Sequence, residues 1–529
     1  MATDPRLRRA VVLGCLLCAA APAAAQQPLS AIDWLSQSVA EPAAAAGPIP
    51  SSTPNPRPDP DQPAVASSAQ PGAVTVTVLG AASPDGLGLL PPGQTGLPPA
   101  LWGLSRTEDI ARAITAERAA LLPALRGLFL TLLLAETDPP VDSGGRGQLL
   151  MARIDKLLDM GALTQAEFDV DLSGMPSPEL FRRSFDIALL TGHEDAACTR
   201  MQASANLAPT LAARIFCLAR AGDWNAAALT LNTSRALGRV EGTEDQLLSR
   251  FLDAELAEDS PPLPPPDRPT PLVWRMYEAI GEPLNTQHLP LAFAHAELRP
   301  QAGWKAQVEA AERLARAGAV TPNLLLGLYT ERDAAASGGV WDRVDLFQRF
   351  DRALTLGEPQ AIADALPPVW QAMSGNELES VFAELYGEKL AGLDLPTPAD
   401  GLALRIGLLS PGFERVARLR LARGPASDLQ EEFLLGLATG HISGLTPPDS
   451  MARGVSPAFL APTLDPAAET MLQERRVGEA LLLAMDAVDR GVRGDPRGVA
   501  EGLSLLRRLG LEDVARRTAL ELLLLERRG

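Results

Sequence analysis

The chain has 529 residues and a formal net charge of −18, and 46% of its residues are apolar although only 4% are aromatic. So negative a surface, with no basic cluster to oppose it, argues against binding to nucleic acid or to anionic lipid. The length exceeds what one hydrophobic core usually fills, and the alanine- and leucine-rich composition suits helix packing, so we expect an all-α protein with more than one folded unit.

Residues 1–25 have the three-part pattern of a secretory signal peptide. Arg6, Arg8 and Arg9 precede an apolar run, and small residues precede Gln26. We predict a periplasmic or secreted protein with cleavage after Ala25; the alternative is an uncleaved N-terminal anchor. No later stretch has the roughly 18 consecutive apolar residues of a membrane span, so we expect no integral membrane segment after cleavage.

The next two segments carry little helical signal. Residues 26–73 are rich in proline and alanine, which predicts a disordered linker, although a short amphipathic helix at 31–39 could dock on the body or on a partner. Residues 74–104 are predicted to form an irregular capping segment over the first helices. Within this segment, 74–79 read VTVTVL, the best candidate for a β-strand in the chain.

Only two cysteines remain once the signal peptide is removed. Cys198 and Cys217 lie in two predicted helices, 193–204 and 209–221, whose connecting turn falls near Asn206. If these helices form an antiparallel hairpin, the sulfur atoms can meet, and an oxidising compartment favours a disulfide. The alternatives are two separately buried thiols or a reactive thiol.

Helical patterning dominates residues 105–258, where helix pairs meet at glycine turns. The same junction of helix, glycine and new helix recurs in the C-terminal half, and it occurs at Gly161, Gly192, Gly222, Gly318, Gly357 and Gly510. The first three glycines are 31 and 30 residues apart, and the next interval is 96 residues, about three repeats. Such a period predicts stacked helix-turn-helix units, each too small to bury its own apolar face.

The junction at Gly222 resembles the turn and second helix of a tetratricopeptide repeat. Gly222, Asp223 and Trp224 are followed by Ala227, five residues after the glycine, and Ala166, Ala197 and Ala515 occupy the same offset from their own glycines. Asn323 and Ile362 depart from the pattern, and the family's closing proline has no counterpart near Arg239. The resemblance covers about half of the mature chain and implies a superhelical stack whose concave groove binds proteins or peptides.

Prolines divide the helical region. Residues 259–271, DSPPLPPPDRPTP, predict a linker between an N-terminal helical repeat domain, 105–258, and a C-terminal one, 272–529. Residues 445–467 contain five further prolines and predict a long loop or second hinge. The apolar stripe of residues 511–525 predicts a closing helix.

Patterns of catalytic or metal chemistry are missing from the sequence. It contains no zinc-protease, nucleophile-elbow, phosphate-loop, dinucleotide-binding or EF-hand motif. The only imidazoles outside the leader belong to His193, His288, His295 and His441, and no carboxylate pattern accompanies them, so we predict no catalytic, cofactor or metal site. Glu379-Ser380 matches the catalytic dipeptide of lytic transglycosylases, but that family's downstream segment is absent, and we predict a solvated carboxylate at Glu379. The tryptophans are expected mostly in packed cores.

These observations predict an exported, non-enzymatic α-helical repeat protein that acts as a protein-binding scaffold or adaptor in the bacterial cell envelope. Its partner is expected to be a protein or peptide. The acidic surface is either simply solvated or complementary to a basic partner. The alternative function is a cell-envelope enzyme that acts on peptidoglycan or glycan through carboxylates that no motif reveals. A buried carboxylate pair in a cleft would favour the enzyme, and an exposed apolar surface would favour the scaffold.

Overall fold

The computed structural model describes residues 83–173, 177–253, 255–256, 261–334 and 338–525. Within these ranges the regular structure is helical, no strand forms, and one isolated bridge joins Leu90 to Ala135. The all-α prediction is therefore confirmed for this part of the chain. The predicted signal peptide, the linker 26–73 with its short helix, the strand 74–79 and the last four residues lie outside it.

The first twelve α-helices among the residues described lie between Pro92 and Arg316. They are α1 Pro92–Thr95, α2 Thr107–Ala116, α3 Pro123–Leu134, α4 Gln148–Asp159, α5 Leu163–Ser173, α6 Pro178–Thr191, α7 Glu194–Ala203, α8 Leu211–Arg220, α9 Trp224–Ala236, α10 Gly242–Leu252, α11 Pro271–Ala279 and α12 Trp304–Arg316. Short 3₁₀ helices span Pro84–Gly86, Ala205–Leu207 and Leu291–Leu298.

The remaining described helices continue to the C-terminal end. They are α13 Pro322–Thr330, α14 Val340–Leu356, α15 Pro359–Ser374, α16 Glu379–Ala391, α17 Ala399–Leu408, α18 Phe413–Arg423, α19 Leu429–Thr439, α20 Ser450–Leu460, α21 Pro466–Gln473, α22 Val477–Val492, α23 Pro496–Arg508 and α24 Glu512–Leu524. None of the helices in the described ranges has the length and apolar content that crossing a membrane requires.

The six turn glycines each lie between two consecutive helices and have φ between 64° and 84°. At Gly222, the backbone N–H donates to Ala219 O, the next N–H donates to Leu218 O, and the Asp223 carboxylate accepts the N–H of Ala226. The left-handed glycine thus ends α8 while the aspartate begins α9. The alanines five residues after four of these glycines are fully buried: Ala166, Ala197, Ala227 and Ala515.

Neighbouring helices pack in sequence order over long stretches. Contacts join each helix to the next from α4 to α11, again from α12 to α19, and from α21 to α24. Most of these helices expose one side and bury the other between their two neighbours, as expected for hairpins that cannot bury their apolar faces alone.

The two ends of the described chain also meet. Helix α24 packs against α3, and α22 packs against α2 and α3. In the middle of the chain, α11 and the 3₁₀ helix Leu291–Leu298 both return to α6. The sequential array is therefore closed by contacts between its first and last helices.

Three apolar clusters form the interior. One cluster contains Phe129 from α3 together with Leu481 and Leu520 from the last helices. A second takes its residues from between 294 and 409, and a third surrounds the two cysteines between 181 and 277. The first cluster joins residues from both sides of the proline-rich segment, while the predicted domain boundaries stay a prediction.

One local expectation was wrong. The proline-rich stretch 445–467 is not one long loop, because Asp449 accepts the N–H of Ala452 at 2.7 Å and starts α20, which tolerates Pro457 on its exposed side. The capping segment packs on the first helices through the hydrogen bonds that Asp85 accepts from α4, and it also reaches α22. There Trp102 lies against Gly478, whose N–H donates to Leu101 O at 2.9 Å. Trp102 and Leu101 are buried there, whereas Leu89 is exposed.

Candidate functional site

Cys198 and Cys217 form the predicted disulfide, which joins α7 to α8 with a Cα–Cα distance of 5.0 Å. Both half-cystines are buried in the third apolar cluster. The Gln202 side chain donates to Cys217 O at 3.2 Å, so a hydrogen bond also links the two helices. The bridge holds α7 and α8 together, and the next helix, α9, packs against α8.

Helix α9 carries the most exposed apolar surface of this region. It packs through Ala227 and Leu231, while Trp224 is 53% exposed, Leu229 67% and Leu237 65%. Exposed tryptophan and leucine side chains offer apolar surface that a partner can cover. The prediction that tryptophans serve mainly in packing holds for Trp102, Trp274 and Trp304, but not for Trp224.

The polar groups around this face are held in place. Asp223 caps α9, and the guanidinium of Arg235 donates to both Asp245 and Ser249 of α10. These bonds orient α9 on α10 without covering Trp224 or Leu229. We call the exposed surface of α9 and its C-cap, which carries Trp224, Leu229 and Leu237, the α9 face.

A second site lies where α3 and the residue after α24 meet α12 and α16. It is a cavity of about 290 Å³, which we call the closure pocket. Its wall comes from the α2–α3 connection and the start of α3, the ends of α4 and α12, the start of α16, one residue of the 3₁₀ helix and one after α24. The lining residues are Ala119, Ala120, Leu121, Pro123, Arg126, Asp159, Leu291, Arg313, Arg316, Ala317, Glu377, Glu379, Ser380 and Leu525.

Three arginines line the closure pocket. Arg126 donates to Arg316 O at 2.9 Å, and its guanidinium lies so close to Gly318 that a Cβ there would be 2.6 Å from Nε. Arg313 donates to the backbone oxygens of Thr286 and Leu289. Burial, helped by Arg316 and opposed by Glu297, lowers the pKa of Arg313.

Glu379, on the acidic side of the closure pocket, was predicted from the sequence to be solvated, and this prediction was wrong. This residue begins α16 and is buried, with 8% exposure, rather than solvated. Asp159 at the end of α4 accepts a hydrogen bond from Lys156 at 3.0 Å, and Glu377 is largely exposed with a positive φ of 56°. Sequence reasoning placed Glu379 on a helix correctly but could not see that four distant elements enclose it.

The histidines are scattered. His193 lies 3.2 Å from the Thr191 hydroxyl through Nδ1, buried His295 lies 3.3 Å from Gly161 O through Nε2, and His288 and His441 are exposed. Among the described residues, no group of three histidine, cysteine or acidic side chains has the geometry to hold a metal ion.

A cluster of acidic groups lies beside the closure pocket, at the contact of the α2–α3 connection with α22. Burial, together with the charges of Asp486 and Asp489 and against the opposing charge of Lys156, raises the pKa of Glu117 to about 7. Arg118 and Arg493 lie 3.5 and 2.8 Å from Asp489. The protonation of Glu117 is therefore linked to the contact that closes the array.

Comparisons with family models, with curated proteins and with solved structures found no match for this chain.

Proposed function

We propose that this chain is an exported, non-enzymatic helical repeat protein that binds another protein of the bacterial cell envelope. The signal-peptide pattern at residues 1–25 and the disulfide both suit an oxidising compartment. The tetratricopeptide-like turns and the sequential helix packing suit a superhelical scaffold. The observation that carries the proposal is the α9 face.

The α9 face has the properties of a docking surface. Its two large side chains Trp224 and Leu229 are more than half exposed, although the helix beneath them is fixed by the disulfide-linked pair α7–α8. A rigid support lowers the entropy lost on binding, and a tryptophan supplies much of the binding energy at many interfaces. The face therefore suits a partner that inserts apolar side chains.

The charge of the chain narrows the class of partner. With a net charge of −18, the protein attracts basic surfaces at long range and repels acidic ones. We therefore propose a partner segment with apolar residues that cover Trp224 and Leu229, flanked by lysine or arginine. Its affinity should fall as salt rises, because screening weakens the long-range attraction.

Site-specific photocrosslinking in intact cells tests the proposal. A benzoylphenylalanine replaces Leu229, and the matched control replaces Leu356, an isolated leucine at the end of α14 that is 73% exposed. The expected result is a discrete adduct at position 229 but not at 356, followed by binding of the purified partner to the purified chain. Leu229→Asp should weaken that binding and Leu356→Asp should not.

Adducts of equal identity and yield at both positions would contradict the α9 face. So would a purified partner whose affinity for the Leu229→Asp variant equals its affinity for the parent. Circular dichroism of each variant separates loss of binding from loss of the fold.

A second candidate function is favoured by the closure pocket. As the alternative we propose an envelope enzyme acting on peptidoglycan or glycan, in which Glu379, buried next to Ser380 in the same cavity as Asp159, serves as the acid. Release of soluble fragments from peptidoglycan by the purified chain, abolished in Glu379→Gln, would support the enzyme. If neither the parent nor Glu379→Gln releases fragments, the enzyme is excluded and the scaffold remains the proposed function.

A further inference from the structure

The closure pocket has the size and construction of a small-ligand site. At about 290 Å³ it lies at the lower end of the volumes usual for such sites. Its wall combines an apolar part with six ionisable side chains that come from four separate parts of the chain. A ligand bound there would contact the first, middle and last described helices together.

Arg313 and Arg316, on the cationic part of the wall, make their hydrogen bonds to uncharged backbone oxygens. The Nε of Arg316 lies 2.8 Å from Asn376 O. The carboxylate of Glu377 is 3.9 Å from Arg316, and these side chains are 59% and 39% exposed, so the ion pair is weak. Both arginines therefore keep the ability to bind a carboxylate.

The start of α16 adds to this positive potential. Leu378 precedes the helix and provides no side-chain cap, so the amino end of the helix dipole points to the same wall as Arg316. The dipole and the guanidinium attract a bound carboxylate, and the Glu379 carboxylate in the first turn of α16 opposes them.

The acidic part of the wall restricts the ligand further. Asp159, Glu377 and Glu379 face the same cavity as the three arginines, and Asp159 is already paired with Lys156 at 3.0 Å, so the wall carries charges of both signs. A simple anion would be attracted by the arginines and repelled by the carboxylates. A zwitterion can satisfy both, with its carboxylate near the arginines and its ammonium near the acidic groups.

The rest of the wall is apolar. Leu121, Pro123, Leu291 and Leu525 would contact an aliphatic side chain, since burial of apolar surface favours such a contact. We propose that the closure pocket binds a small apolar zwitterion, either a free aliphatic amino acid or a dipeptide of such residues. This site is separate from the α9 face.

Titration calorimetry with the mature chain tests this site. The probes are leucine, leucyl-leucine, the N-acetylated and the C-amidated forms of each, and serine. We expect one or both free zwitterions to bind, the capped forms and serine to bind much more weakly, and the tighter zwitterion to identify the amino acid or the dipeptide as the ligand class.

Arg316→Gln and a matched control locate the binding. Arg423 serves as the control because its side chain is 37% exposed, donates to Ala391 O and Leu393 O, and lies 3.5 Å from Asp400. Losing one charged hydrogen bond should weaken binding roughly tenfold or more in Arg316→Gln, whereas Arg423→Gln should bind as the parent does. Ala120→Trp, at an exposed position of the wall, should block the pocket without disturbing the core.

Three results would overturn the inference. The first is no binding by either zwitterion up to about 1 mM. The second is equal binding of the capped forms or of serine, which would remove the requirement for both charges or for the apolar body. The third is an equal loss of affinity in Arg316→Gln and Arg423→Gln, or full binding by a folded Ala120→Trp.

Discussion

The carboxylate of Glu521 in α24 accepts the backbone N–H of Ala124 in α3, with both oxygens 3.0 Å from the nitrogen, across 397 residues of sequence. Leu122 precedes α3 and provides no side-chain cap, and Pro123 has no N–H, so Glu521 takes the role of the missing cap. Arg517 lies 3.5 Å from the same carboxylate, which is almost fully buried. The last described helix, α24, thereby supplies the N-terminal cap of α3.

Replacing Glu521 by alanine should destabilise the protein. The change leaves the buried N–H of Ala124 without its acceptor, which costs about 1–3 kcal/mol of the free energy of unfolding. Denaturant unfolding measures this loss. Glu432→Ala, at an exposed position in the first turn of α19, is the control and should change the free energy little. Equal losses in the two variants would show that the closing hydrogen bond contributes nothing specific.

The disulfide gives a second prediction. Under denaturing conditions the oxidised mature chain should show no free thiol, because Cys198 and Cys217 are joined. The double variant Cys198→Ala, Cys217→Ala should lose about 3 kcal/mol, since the bridge closes a short loop between cysteines with a sequence separation of 19. Reduced parent protein is the matched comparison and should be destabilised similarly. Two free thiols in the oxidised protein would contradict the bridge.

Glu117 predicts how the stability depends on pH. Its pKa in the folded protein is about 7, above the ordinary value of 4.5, so between these values the folded state binds more protons than the unfolded state. Protonated Glu117 therefore contributes to the free energy of unfolding at low pH. This contribution is lost as pH rises through about 7, because Glu117 must then ionise beside Asp486 and Asp489.

Glu117→Gln should therefore match the parent near pH 5 and be more stable near pH 8, by up to about 3 kcal/mol. Denaturant unfolding at both pH values measures the difference. Burial also raises the pKa values of Asp169 and Asp186 to about 6, but these groups are present in both proteins and cancel. Glu432→Gln removes the same charge at the surface and should leave the pH dependence unchanged. A parallel shift at both pH values would exclude titration of Glu117 as the cause.

Local patterns predicted the hairpins and their bridge because the determining residues are neighbours. Glycine at 222 ends one helix and Asp223 begins the next within a few residues, and the spacing of Cys198 and Cys217 follows from one turn. The contact of Glu521 with Ala124 has no such signature. The sequence does not indicate which helix start a glutamate near the C-terminal end will cap, so only the folded arrangement identifies the pair.

The candidate sites were harder to predict for the same reason. The closure pocket takes Arg126, Arg313 and Glu379 from helices that are far apart in sequence, and no spacing rule connects them. Trp224 belongs to a recognisable repeat turn, where its side chain was expected to pack, yet it is exposed. Its neighbours Asp223 and Asn225, both polar and exposed, were the available signal that this end of α9 faces solvent.

The contact between Trp102 and Gly478 gives the last prediction. A Cβ at position 478 would lie 2.3 Å from the Trp102 ring, which is fixed by its Nε1–H donating to the Thr137 hydroxyl at 3.2 Å. Gly478→Ala should therefore push the capping segment away from α22 and cost about 1–3 kcal/mol, although alanine is the better helix former. Gly401→Ala is the matched control, since 401 also lies in the first turn of a helix and has open space around it. It should gain about 0.5–1 kcal/mol. Denaturant unfolding measures both changes, and a gain in Gly478→Ala equal to that in Gly401→Ala would mean that Trp102 does not pack on α22.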